Sequence, residues 1–270
     1  MRGRIVTALQ DSVLSDIGGR YPHLASVPVC FAPSRELNAF AISAPDGSPI
    51  VILNHCIIAA VPHIVTSFLS YSTWDSDEPF SRTHSRATYL ASLIALARFV
   101  ISRDIQHWSR VCTFGIPGTQ AFNQFVMTLC IVMEQFILLH EYGHIVLSHL
   151  KTDSTVPLRF NSAALRVFTK SQEQEFEADR FATEQLFNLT AMPLPIIPYA
   201  IGLLFKFFEL VETISGRTDT PDNASHPSAS DRLAAITRSL SHVDWLKHGF
   251  DDTEFHWRPI FESFRNGSQA

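Results

Sequence analysis

Apolar and polar positions divide the 270-residue chain into a short strand-rich region followed by helices. Residues 1–20 read as an opening helix. Residues 27–31 and 40–43 have the apolar, β-branched and aromatic character of strands. Residues 44–49 (APDGSP) form a turn with Asp46 and Gly47 at its tip, and 50–53 returns as the next strand. The pattern predicts a small antiparallel sheet over 27–53. Apolar residues then recur at helical spacing in 55–70, where Pro62 marks a start or a kink. The same spacing recurs in 89–110, 122–150, 171–189, 199–215 and 230–240. Ser171 followed by Gln174 is a capping-box signature. Polar stretches at 72–85 and 216–230 read as loops, 114–118 (FGIPG) as a break and 152–157 as a linker. An aromatic tail follows Leu240.

Within the helix at 122–150, His140, Glu141, Tyr142, Gly143 and His144 form an HExxH motif. Residues four apart differ by about 40° around a helix axis, so both imidazoles face one way. That spacing lets them share one tetrahedral Zn2+. Glu141 lies about 60° from His144 around the same axis, within reach of a metal-held water without ligating the metal. Zinc lowers the pKa of such a water to about 7, and Glu141 is placed to take its proton. The competing reading is a histidine pair whose hydrogen bonds are satisfied inside a helix. His149 turns off the zinc face on a continued helix and reads as a packing or hydrogen-bonding residue. Gly143 allows close approach of a neighbour.

The helix at 171–189 offers the third ligand. Glu175, Ala178, Asp179, Ala182 and Leu186 share one face; Glu173, Glu177, Arg180 and Glu184 share a charged face that should meet solvent. A carboxylate on an apolar face is costly to bury without a partner. A metal supplies one, so Glu175 is the expected third ligand. Asp179, one turn on, is placed to accept the spare N–H of His140 and fix its tautomer. A partly buried salt bridge with Arg166 or Arg232 is the alternative for both acids.

The pair HEYGH and EFEAD (175–179) resembles the HExxH and ExxAD motifs of gluzincins that include the HtpX-like and CAAX prenyl proteases. Asn38, Ala39, Phe40 and Ala41 resemble the NAFA segment before that family's sheet hairpin. His226 and Pro227 with Arg232 resemble its HP…R segment, and His149 matches a recurrent histidine. The resemblance covers about residues 27–240. It implies an α+β, zincin-like fold, with a small antiparallel sheet on the HExxH helix and further helices around it. It implies one domain, 1–270, with its core at about 27–240. It also implies a zinc-dependent endopeptidase acting on a protein or peptide. Asn38, Ala39 and Phe40 would bind substrate as an added strand. His226 would stabilise the oxyanion or touch the metal, or, as a loop histidine, cap the helix that follows. Arg232 would be structural, pairing with Asp179 or a loop carbonyl.

The family's membrane helices are missing from the pattern, and the spacing from His144 to Glu175 is short. Both features resemble soluble relatives: the Lit-type phage-exclusion peptidases, or ImmA/IrrE-type regulators. Phe181 and Ala182 resemble the latter; the NAFA and HP…R segments resemble the former, which would imply phage defence. A zinc-binding regulator or sensor with restricted or no turnover is the second functional reading. Glu141 speaks against it, because a structural zinc site needs no base. A zinc hydrolase of a non-peptide amide is the third.

Composition narrows the setting. Hydrophobic residues at 46% and charged residues at 17% are those of a globular chain. With a net charge of -5 and no cluster of basic and aromatic residues, no nucleic-acid partner is expected. Cys30, Cys56, Cys112 and Cys130 form no CxxC pair and read as buried free thiols, which suits a cytoplasmic setting. Residues 1–15 lack the features of a secretory signal. The apolar stretches 122–139 and 196–211 carry Glu134, Lys206 and Glu209, so buried helices are expected and no membrane span. His55, His63, His84 and His107 have no partner spacing.

Overall fold

A computed structural model describes residues 2–33, 38–72, 85–108, 111, 120–151, 155–160, 163–168, 171–189, 195–216, 227–240 and 244–267. Most of the predicted loops at 72–85 and 216–230 and the whole break at 114–118 lie outside them. The fold is α+β and mostly helical.

Helix α1 (Arg2–Ile17) opens the chain, and a 3-10 turn (Pro22–Ser26) leads to strands β1 (Val29–Ala32), β2 (Ala39–Ser43) and β3 (Pro49–Asn54). β2 and β3 make the expected hairpin, with Phe40 opposite Ile52 and Gly47 at φ 85 in the turn. That left-handed value suits a glycine. The sheet is not purely antiparallel, as expected, but mixed. β1 runs parallel to β3, with Val29 opposite Val51, in the order β1-β3-β2. Side chains alternate with a period of two in either direction, so the pattern of apolar residues does not encode strand direction. This order leaves β2 at an edge of the sheet.

Helix α2 (His55–Ser72) follows β3 directly, with Pro62 inside it. The helix predicted at 89–110 is two helices. α3 (Arg86–Ser102) stops at Arg103, whose φ is 58, and α4 (Ile105–Trp108) follows. The long apolar run is α5 (Gln120–Val146). It ends earlier than predicted: Ser148 turns left-handed at φ 63, and a 3-10 turn (His149–Lys151) follows. Beyond it, β4 (Thr155–Phe160) and β5 (Ala163–Phe168) form an antiparallel hairpin where a linker was expected. The signal was present: Val156, Leu158 and Phe160 alternate with polar residues or proline. β5 runs beside β2 but belongs to a separate sheet.

Helix α6 (Gln172–Phe187) begins with the predicted capping box: the Ser171 hydroxyl accepts from the Gln174 N–H, and the Gln174 side chain accepts from the Ser171 N–H at 2.9 Å. α7 (Ile196–Ser215) closes at Gly216, and α8 (Ala229–Ser239) follows. The predicted aromatic tail is instead a long amphipathic helix, α9 (Asp244–Gly267). Phe250, Thr253, Trp257 and Ile260 recur at helical spacing and are buried; Pro259 within that run obscured the period.

The core lies between α5 and the helices around it. α6 packs closely along α5 at Gly143, where a Cβ would stand 3.2 Å from the Ala178 Cα and 3.2 Å from Phe181. The close approach expected of Gly143 is thus made to α6. α2 (His55–Ser72) and residues 122–146 of α5 are long and apolar enough to cross a membrane, yet most of each apolar window is buried in the fold. In α7, Lys206 is paired with Glu209 and Glu254. Cys130 is a buried free thiol as expected, but Cys30 is exposed and Cys56 only partly buried; Cys112 lies outside the described residues.

Glu134 sits on α5 two turns before Glu141, and burial raises its carboxyl to about 7. A carboxyl whose folded pKa is raised stabilises the fold below its unfolded pKa of about 4.3, and that contribution is lost as pH rises through the folded value. Glu134→Gln should therefore match wild type near pH 4.5 and exceed it above pH 8 by on the order of 2 kcal/mol, discounted for residual solvent contact. Denaturant titrations at the two pH values check this.

Candidate active site

The site forms where α5, α6 and α8 meet beside the edge strand. His140 and His144 leave α5 one turn apart with their Nε2 atoms 3.1 Å from each other. Glu175, in the first turn of α6, brings one oxygen to 3.5 Å from each: Oε2 to His140 and Oε1 to His144. Among the described residues these three buried side chains form a group whose ligand atoms lie within 4.8 Å of one another. They can hold a metal ion. Bonds of 2.0–2.1 Å at tetrahedral angles place ligand atoms about 3.3 Å apart, which matches the separations here. Two imidazole nitrogens and one carboxylate are also a donor set of the kind found in catalytic sites, which use three protein ligands.

Asp179 lies one turn beyond Glu175 and is 1% exposed. Its Oδ1 is 2.9 Å from His140 Nδ1. Arg232, from α8, donates to the same carboxylate through two nitrogens: Nε to Oδ2 at 2.7 Å and Nη2 to Oδ1 at 2.6 Å. The sequence offered Asp179 either His140 or an arginine; it has both. Arg232 also stands 3.6 Å from Glu175 Oε2, and its guanidinium lies over the Phe205 ring at 5.1 Å. Burial alone would raise the Asp179 carboxyl, but the charge and hydrogen bonds of Arg232, with those of His140, hold it below the usual carboxylate range. Burial likewise favours a neutral His140; the hydrogen bonds and charges of Asp179 and Glu175 outweigh it and raise the ring to about 9. α8 is itself fixed by Glu212 of α7, which accepts from the Ala229 N–H at 3.0 Å.

Glu141 turns toward the sheet. Its Oε2 accepts from the Ala41 N–H of β2 at 2.5 Å. The register explains why that N–H is available. Asn54 N–H donates to Asn38 O and Ala44 N–H to Ser48 O, so residues 38, 40, 42 and 44 face β3. The backbone groups of Ala39, Ala41 and Ser43 therefore point away from it. The Asn38 side chain accepts from the Ala39 N–H at 2.9 Å. Ala39 packs in the main core, whereas the Phe40 side chain turns to the sheet's other face, with Ile42 and Ile52. The site thus gathers His140, Glu141, His144, Glu175, Asp179 and β2. His226 lies outside the described residues; Pro227 beside it is buried.

Two features escaped the sequence. His149 is the hydrogen-bonding residue expected, off the ligand atoms, but its partner is His144 itself: because α5 stops at Val146, the ring folds back to put Nδ1 2.9 Å from His144 Nδ1. Glu177, assigned to the solvent face, is only half exposed and its Oε2 lies 3.0 Å from His149 Nε2. The change from apolar to polar residues at 148–153 is the signal that marks the early helix end.

Removing one partner of a buried ion pair costs about 3–5 kcal/mol, so Arg232→Met should lower stability by that amount at neutral pH in chemical denaturation. Arg232→Lys should recover only part, since an ammonium lacks the two-pronged geometry. The Asp179 pKa is lowered by folding, so its contribution is present above about pH 4 and lost as pH falls further. The gap between wild type and Arg232→Met should close in acid.

Neither a search of curated proteins nor a search of solved structures returns a match. The family model Peptidase U49 matches residues 68–247, more than half of the chain, and takes in α5, α6 and α8 with every side chain that meets at the site. By that match over more than half of its length, the chain belongs to the peptidase U49 family.

Proposed function

We propose that this peptidase is a zinc-dependent endopeptidase with a zincin-like active site. The observation that carries the reading is the meeting of three metal-ligand side chains with a buried glutamate tied to a sheet edge. His140, His144 and Glu175 would hold the ion, and Asp179 orients His140. When bound, Zn2+ supplies Lewis acidity, polarising the scissile carbonyl and lowering the pKa of water to about 7.

The chain's own groups supply the rest. Glu141 accepts the proton of the attacking water and returns it to the leaving amine. The Ala41 N–H holds that carboxylate on the side of β2, where an extended peptide would lie. The outward backbone groups of β2 suit addition of a substrate strand; of Asn38, Ala39 and Phe40, Ala39 alone directs its main chain that way, while Asn38 and Phe40 bond to β3 and hold the edge in place. His226, three residues before α8 in the sequence, would serve the oxyanion. A protein or peptide in a cytoplasmic setting is the substrate, as for the soluble Lit-type enzymes of phage exclusion. A purely regulatory zinc site gives no reason for a buried base tied to an edge strand.

The purified protein should carry about one equivalent of zinc. Glu141→Gln should keep that zinc while cleavage falls about 10²–10⁴-fold, read as the loss of new protein N-termini in the host relative to wild type. Undiminished cleavage would exclude Glu141 as the base. Glu175→Ala should lower zinc affinity in a chelator competition, and an unchanged value would assign the third ligand elsewhere.

A further inference from the structure

The two histidines of the HExxH motif are supported differently. Behind His140 stand a carboxylate and a guanidinium. Behind His144, which is fully buried, stands another histidine, and behind that a glutamate at the surface. His149 is 5% exposed, while the Glu177 side chain is 39% exposed. The contacts form a line from the ligand to solvent: His144 Nδ1 to His149 Nδ1 at 2.9 Å, then His149 Nε2 to Glu177 Oε2 at 3.0 Å.

Only one arrangement of protons satisfies this line while leaving His144 able to bind a cation. A carboxylate oxygen accepts and does not donate, so the nitrogen facing Glu177 must carry hydrogen. That makes His149 the Nε2–H tautomer, and its Nδ1 presents a lone pair. Only one hydrogen fits between the two Nδ1 atoms, so it belongs to His144. With hydrogen on Nδ1, the neutral His144 ring has its lone pair on Nε2, the atom that faces His140 and Glu175. The reverse arrangement puts two acceptors face to face at Glu177 and a hydrogen on the ligand nitrogen.

We propose that His149 and Glu177 are positioning residues for the metal centre, a relay that sets the tautomer and ring orientation of His144. It rests on the reading of His140, His144 and Glu175 as zinc ligands. The backbone builds the relay deliberately into the end of α5: left-handed Ser148, at φ 63, reverses the chain so that a residue five positions past His144 returns against its ring. Glu177 then meets it from α6, two residues beyond Glu175.

The test uses the full-length protein loaded with Zn2+ and apo samples of the same variants. Chelator competition should show His149→Phe binding zinc about 10–100-fold more weakly, the range for removal of a group that orients a metal-bound histidine. His149→Gln, whose amide oxygen accepts from the His144 N–H, should recover part of the loss. Glu177→Leu should weaken zinc binding, and Glu177→Gln, which keeps an acceptor oxygen, should weaken it less. Nitrogen-15 NMR of the zinc-loaded wild type should show hydrogen on Nε2 of His149 and on Nδ1 of His144. Hydrogen on Nδ1 of His149 overturns the relay, as does wild-type zinc affinity in His149→Phe. Should His149→Phe fail to fold, equal affinities for the Glu177→Leu, Glu177→Gln and wild-type proteins overturn it instead. A wild-type protein that binds no zinc overturns the zinc reading and the relay together.

Discussion

A carboxylate with almost no solvent contact must find its hydrogen-bond partners inside the protein, and Asp179 finds them on two other helices. One oxygen serves His140 of α5 and one prong of Arg232; the other takes the second prong. Three helices distant in sequence are thereby held to one small volume. The neighbouring features make sense as conditions for that meeting. Gly143 lets α6 approach α5 closely enough. The capping box fixes where α6 begins, and so the rotation of Glu175 and Asp179 about its axis. Glu212 fixes the start of α8, and so the height at which Arg232 enters. Buried ion pairs add little net stability against apolar replacements, but they do not tolerate loss of one member. Here the result is a demand on geometry, met by two imidazoles and a carboxylate held within bonding range of a common point.

The second organising element is the sheet edge. Parallel entry of β1 on the far side of β3 leaves β2 outermost, with alternate backbone groups directed away from the sheet. One of them, the Ala41 N–H, is taken by Glu141, so main chain holds this carboxylate at the strand. The positions of Glu141 and of the strand are therefore set together.

Much of this was legible before any coordinates. The HExxH spacing, the face shared by Glu175 and Asp179, the Ser171 cap and the hairpin at Gly47 each follow from local periodicity or from turn chemistry, which a sequence carries directly. What was not legible depended on events between elements. β1 has the same alternation whether parallel or antiparallel. His149 was placed by extending a helix that in fact ends at Val146; two residues of irregular backbone reversed its direction. Glu177 was assigned to water by face geometry, and most of that face is exposed, but a long side chain half in solvent reached back to a histidine that helical extrapolation put elsewhere. α9 was missed because Pro259 obscured a period that Phe250, Trp257 and Ile260 otherwise keep. The hairpin of β4 and β5 was passed over although its alternation is plain.

That hairpin lies inside the excursion the chain makes between His144 and Glu175. A cation shared across those residues would close the excursion into a ring, much as a covalent bridge would. Closing entropy grows only logarithmically with ring size; doubling the enclosed length costs about 0.6 kcal/mol. Between the turn at His149 and the cap at Ser171 that stretch can therefore lengthen or shorten at little thermodynamic cost, while its two ends stay anchored in α5 and α6. Since β5 runs beside β2, part of that stretch adjoins β2. Changes in the length of the hairpin segment are thereby separated from the geometry of His144 and Glu175 at its ends.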